Sequence, residues 1–164
     1  MEMLLRRQLV SMLIVDDSED DAFLLFSELA SRGAKVDYKR VDTAPDMAEA
    51  VLGGEWDLII CDHSMPGFDA LTALEVLKQS GKDIPFIIYS GHISDQTAFS
   101  AMHAGVNDYI QKGNYARLMP VIERELKGAA ARQAVRKADS RIKELAFFDK
   151  LTNLPNHNYF CARV

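Results

Sequence analysis

The sequence predicts an open, doubly wound α/β fold: five parallel strands in one sheet, with helices on both faces. Three observations lead there. Five short runs, at 9–15, 35–41, 57–61, 85–89 and 107–111, alternate with stretches of helical periodicity. Several of the runs (LVSMLIV, DLIIC, PFIIY) are apolar almost throughout, as strands covered on both faces must be. Between them stand capping residues and glycines at the spacing that helix ends require.

The elements follow in order. After LVSMLIV, Ser18 and Asp21 form a capping box for a first helix that runs to about Ser31, and Gly33 ends it. After KVDYKRV, the trio Thr43, Pro45 and Asp46 opens a second helix, closed by Gly53 and Gly54. After DLIIC, Asp69 caps a third helix whose Leu71, Leu74 and Leu77 share a face, and Gly81 stops it. After PFIIY, Ser94 caps a fourth, with Ala98, Ala101 and Met102 on one side and Gly105 at its end. After NDYIQ, a fifth and longer helix starts at about Arg117, with Pro120 in its tolerant first turn and Leu118, Val121, Ile122 and Leu126 packed on the sheet.

Farther along that helix Gly128, Ala131, Val135, Ala138, Ile142 and Leu145 recur at alternating spacings of three and four. Such a stripe is the seam of a dimeric coiled coil, or else the apolar side of a solvated connector. Three of its six positions are glycine or alanine, so as a seam it is weak by itself.

Composition excludes several classes of function. With 19 basic against 24 acidic residues and a net charge of −5, the chain lacks the basic cluster that a nucleic-acid surface needs. No apolar run reaches the roughly 20 residues that cross a bilayer, and MEMLLRRQLV is no signal peptide, so no membrane partner and a cytoplasmic location are expected. Of the two cysteines, Cys61 ends a strand as a small buried hydrophobe, and Cys161 lies near the chain end without metal-ligand spacing.

Polar residues placed where apolar runs end carry the chemistry. Asp16 and Asp17 follow the first run, Asp62 the third, and Lys112 the fifth. In a doubly wound sheet these carboxyl ends share one crevice. Carboxylates gathered there repel one another by about 1–4 kcal/mol per close pair at high effective dielectric, so the cluster calls for a cation, and Mg2+ suits an all-oxygen set. Asp17 would bind the metal directly and Asp16 through a water. Asp62 would bind it and also present the nucleophilic oxygen that becomes an acyl phosphate, with the backbone carbonyl of Ser64 as the last protein ligand. Lys112 would hold phosphoryl oxygens from the other side. Ser90, ending the fourth run, offers a hydroxyl to the same phosphoryl group, and Tyr109 could swing inward into the space that Ser90 vacates. The acids Glu19, Asp20 and Asp21 need no more than the positive end of the first helix to explain them.

With these residues in place, the chain resembles the receiver domain of two-component response regulators from about residue 9 to 127. The resemblance rests on the Asp16–Asp17 pair, on DLIICDHSMPGFDALTAL around Asp62, on IIYSG with Ser90, and on DYIQK with Tyr109 and Lys112. It implies a flavodoxin-like (βα)5 fold over residues 1–127 and a phosphoryl group received by Asp62 from a histidine kinase or phosphotransfer protein. It further implies a requirement for Mg2+, and Ser90 with Tyr109 as the switch pair. Two departures stand out: Gly113 follows Lys112 where many receivers have proline, and Ala70 stands where the family often has glycine. His63, Ser64 and His92 flank the site, where they could tune hydrolysis.

The last segment carries a second resemblance. In ELAFFDKLTNLPNHNYFCARV, the residues Asp149, Leu151, Thr152, Leu154, Pro155 and Asn156 are similar to the opening of a GGDEF domain, the diguanylate cyclase module, with His157 in place of an arginine. The implied organisation is a receiver at 1–127, a linker helix at 128–147 and the truncated start of a GGDEF domain at 148–164. This fragment would then be no enzyme beyond its own phosphorylation and dephosphorylation, and the full-length protein a cyclase controlled by a homodimer of receiver and linker. Two alternatives remain: a pseudo-receiver that serves only as an interaction or dimerisation module, and a phosphatase or mutase of similar fold using Asp62. Against the last, Ser64 stands where such an enzyme carries its second acid.

Overall fold

The computed structural model describes Leu5 and residues 8–147 of the 164-residue chain. Five strands, β1 (Val10–Val15), β2 (Val36–Val41), β3 (Leu58–Cys61), β4 (Phe86–Ser90) and β5 (Asp108–Gln111), form one sheet in the order β2-β1-β3-β4-β5. Every pairing is parallel, as the nearly unbroken apolar runs predict. The chain moves outward from β1 to β2, then crosses back to β3, so the reversal of direction lies between β1 and β3. A crevice opens there at the carboxyl ends of the strands.

Alternate side chains of each strand enter two separate cores. Leu13, Val15, Ile59, Cys61, Phe86 and Ile88 face α2 (Ala44–Gly53), α3 (Ala70–Ser80) and α4 (Asp95–Ala104). Met12, Ile14, Leu58, Ile60, Ile87 and Ile110 face α1 (Glu19–Ser31) and the first turns of α5 (Tyr115–Phe147), through Leu25, Leu29, Leu118 and Ile122. Phe86, Ile59 and Ile60 are fully or almost fully buried, and truncating either isoleucine to alanine removes about 2–5 kcal/mol. Cys61 lies among them as expected, and burial, followed by the charge of Asp62, pushes its thiol pKa up.

The four caps sit where the spacing puts them. Ser18, Thr43, Asp69 and Ser94 each accept a backbone N–H three residues on, and Gly81 and Gly105 close α3 and α4 at positive φ (73° and 111°). Four local expectations shift. In α3, Ala70, Ala73, Leu74 and Leu77 face the core, while Leu71 is 36% exposed, one position off the stripe. In α4 the buried residues are Ala98 and Ala101; Met102 stands at the margin of that narrow alanine stripe, 42% exposed. β4 continues through Ser90. α5 begins at Tyr115 because Asn114 caps it, its Oδ1 accepting the Arg117 N–H at 3.3 Å; Pro120 therefore lies inside the helix, where it supplies no N–H to the carbonyl of Ala116.

A tie not foreseen from sequence joins Leu5 to α5. Its side chain is 1% exposed in the second core, its N–H donates to Glu123 Oε1 at 3.0 Å, and its carbonyl accepts from Lys35. The chain divides into two units at Leu126–Lys127, within α5. In the second unit Val135, Ile142 and Leu145 are exposed on the helix. The segment with the second resemblance, 148–164, lies outside the described residues.

Candidate functional site

Three backbone bonds continue the sheet ladder past its strands and aim the key side chains. The Asp16 N–H donates to Val41 O (3.0 Å), that of Asp62 to Val15 O (2.8 Å), and that of Lys112 to Ser90 O (2.8 Å). Residues far apart in sequence thus leave the carboxyl ends of β1, β3 and β5 into one crevice. Lys112 Nζ then lies 2.8 Å from Asp21 Oδ2, 3.0 Å from Asp16 Oδ2 and 3.4 Å from Asp62 Oδ2.

Asp16 is the most buried of the acids, at 5% exposed. One of its oxygens accepts the Ser18 N–H at 2.9 Å, and its backbone carbonyl accepts from Arg40 at 2.9 Å. Burial nevertheless raises its pKa. The Ser18 N–H and Lys112 oppose that rise, while the charge of Asp62 adds to it. Lys112 moves upward too: burial alone would lower it, but its hydrogen bonds to Asp21 and Asp16 and the charges of Asp16 and Asp62 more than reverse this. Lys112 by itself would pull the Asp16 carboxyl down. Its rise reflects burial first, with a smaller addition from the charge of Asp62.

Oxygens of Asp16, Asp17 and Asp62 lie within 4.8 Å of one another. Three carboxylates at that spacing, one of them destabilised by burial, fit a hard divalent ion such as Mg2+, which takes a few carboxylates and fills its octahedron with water and phosphate oxygens. Ser64, whose carbonyl is the expected fourth protein ligand, is exposed in the β3–α3 loop two residues past Asp62.

Ser90 is buried at the end of β4, and its hydroxyl donates to the His92 carbonyl over a long 3.4 Å, a contact weak enough to be exchanged. Tyr109, opposite Ile88 on β5, is half-buried. Its ring partner is Arg117, whose guanidinium stands 5.5 Å from the ring centroid and also bonds Asp108 at 2.9 Å.

Three participants were not singled out from sequence. In sequence Asp21 reads as a helix-end acid, yet it makes the shortest contact to Lys112, at a position four residues after Asp17. Arg40 sits opposite Ile14 on β2 and links the Asp16 carbonyl with Asp42 (3.2 Å) and Glu19 (3.1 Å). Tyr89 Oη accepts the Gly113 N–H at 3.0 Å, and Gly113 has φ 89°, a conformation suited to glycine. Burial, with smaller opposition from that N–H, pushes the Tyr89 phenol up to about 12.

Comparison with known proteins agrees with this geometry. A family model described as the response regulator receiver domain matches residues 12–123. The nitrogen assimilation regulatory protein NtrX of Azorhizobium caulinodans is 32% identical over 127 residues, covering 76% of this chain and 28% of its own. The DNA-binding transcriptional regulator NtrC of Escherichia coli K12 is 31% identical over 99 residues, covering 60% of this chain and 21% of its own. Among solved structures, the signal receiver domain of a LuxO repressor protein from Vibrio parahaemolyticus superposes with a TM-score of 0.69 at 25% identity, covering 78% of this chain and 98% of that one. The chain thus spans less than a third of the length of the two curated relatives.

Proposed function

The chain belongs to the response regulator receiver domain family, and we propose that Asp62 is its phosphoacceptor, taking a phosphoryl group from a histidine kinase or phosphotransfer protein. The observation that carries this is the convergence of Asp62, the Asp16–Asp17 pair and Lys112 from three strand ends. A carboxylate oxygen of Asp62 attacks phosphorus as the bond to the donor imidazole nitrogen breaks; with a proton on its second nitrogen the ring leaves as neutral imidazole, and Asp62 carries a mixed anhydride. Asp16, Asp17, Asp62 and the Ser64 carbonyl would hold Mg2+, which when bound neutralises charge on the transferring group. Lys112 turns its ammonium to a phosphoryl oxygen. Ser90 exchanges the His92 carbonyl for another phosphoryl oxygen, and Tyr109 follows inward.

The Asp149–Asn156 motif favours a diguanylate cyclase in the full-length protein, controlled through a homodimer in which Gly128 to Leu145 forms the coiled-coil seam. The exposure of Val135, Ile142 and Leu145 on the helix supports that seam. The kinship with NtrX and NtrC favours a transcriptional output as the second reading. No described helix is long and apolar enough to cross a membrane, in keeping with a cytoplasmic switch. Solution mass with and without beryllofluoride and Mg2+ tests the dimer: a doubling supports it, and an unchanged monomer removes it. Assaying the full-length protein for cyclic di-GMP formation from GTP separates the two outputs.

A further inference from the structure

Lys112 has three N–H donors, and in the resting site all three are occupied: by Asp21 at 2.8 Å, Asp16 at 3.0 Å and Asp62 at 3.4 Å. On phosphorylation the Asp62 contact, the longest of the three, passes to a phosphoryl oxygen, and the ammonium can turn further towards the phosphoryl group only if one of the other two is loosened. Asp16 is the poor candidate, being buried and already fixed by the Ser18 N–H. Asp21 is the good one. Its side chain is 45% exposed, so water can replace the ammonium at small cost, and its backbone N–H is pinned to Ser18 Oγ, which keeps the carboxylate at the rim whether or not Lys112 is bound.

We propose that Asp21 is a positioning residue that restrains phosphoryl transfer: it holds Lys112 in the resting site and places one further negative charge beside the path of an anionic donor. This rests on Asp62 being the phosphoacceptor. Both effects act in the same direction. While Asp21 keeps the ammonium, the lysine is withheld from the transferring group; once the lysine leaves, the bare carboxylate faces the phosphoryl oxygens. Asp21 therefore favours the unphosphorylated state, through a contact absent from the phosphorylated one.

The test uses the full chain at saturating Mg2+. The rate of phosphorylation by acetyl phosphate and the affinity for beryllofluoride are measured in the wild type, D21N and D21E over a range of ionic strength, with thermal melting alongside. D21N keeps the size of the side chain and removes its charge. It is expected to raise both rate and affinity about two- to fivefold, the size of one partly exposed charge contact, and to flatten the salt dependence. D21E, which restores the charge, is expected to return both towards wild type. A D21N rate and affinity equal to or below wild type, or a gain that D21E retains in full, overturns the proposal, whatever happens to the melting temperature. A wild-type chain that takes up no phosphoryl group instead overturns the assignment of Asp62, and this proposal with it.

Discussion

Lys112 Nζ stands 3.4 Å from Asp62 Oδ2, joining the end of β5 to the end of β3 through a single ammonium that also serves Asp16 and Asp21. The lysine is therefore a structural counter-charge before it is a ligand for phosphate. Replacing it by methionine, K112M, leaves the carboxylates facing one another. Without divalent ions the variant should lose about 1–3 kcal/mol of stability, because acids gathered in a half-buried crevice lose their compensation. Millimolar Mg2+ should restore most of that loss by binding the native state. Urea unfolding in chelator and in Mg2+ reads the difference; equal losses in both media would show that the lysine does not balance the metal site.

Asp108 poses the opposite problem, a buried carboxylate held by two partly exposed arginines, Arg117 at 2.9 Å and Arg124 at 3.1 Å. The two sides of this cluster are unequal. Removing the acid with D108N leaves guanidinium groups that water can solvate, and should cost about 1–2 kcal/mol. Removing both arginines strands a buried charge and should cost about 3 kcal/mol or more. Denaturant midpoints of D108N and of the R117A/R124A double variant decide the order, and a larger loss in D108N would contradict it.

Tyr89 gives a pH dependence with a definite sign. Its phenol is raised from 10.0 to about 12 in the folded protein, so between those values the native state binds more protons than the unfolded chain. The stabilisation is complete below pH 10.0 and disappears as pH rises through about 12. Lys112, raised above its ordinary 10.5, acts in the same direction over an overlapping range. Stability should thus fall steeply above pH 10.0, by on the order of 2 kcal/mol from Tyr89 alone. Y89F should flatten that slope while losing some stability near neutrality, where Gly113 has lost its acceptor. A slope unchanged in Y89F would place the titration elsewhere.

Much of this was legible in the sequence because backbone rules are local. Caps three residues ahead of a bonded N–H, glycines at helix ends and apolar runs fix the order of elements, and the order of elements fixes which strand ends share a crevice. Asp16, Asp17, Asp62 and Lys112 could be brought together on that ground alone. Side-chain choices between distant elements were not legible. Asp21 fits two roles at the amino end of α1, and only the position of the Lys112 ammonium, 91 residues away, shows which it takes. Leu71 and Met102 are apolar residues just beside a helical stripe, and the depth of each helix on the sheet leaves them outside. Leu5 precedes any periodic pattern, and its burial depends on an acceptor on α5, Glu123, that no spacing rule connects to it.

Whether Asp62 accepts phosphate is decided by chemical trapping of the adduct. The chain is incubated with acetyl phosphate and Mg2+, reduced with borohydride, digested and mapped by mass spectrometry. The expected result is one base-labile phosphoryl group, conversion of Asp62 to homoserine on reduction, and loss of both signals in D62N or in chelator. An adduct on another residue, or an undiminished adduct in D62N, would contradict it.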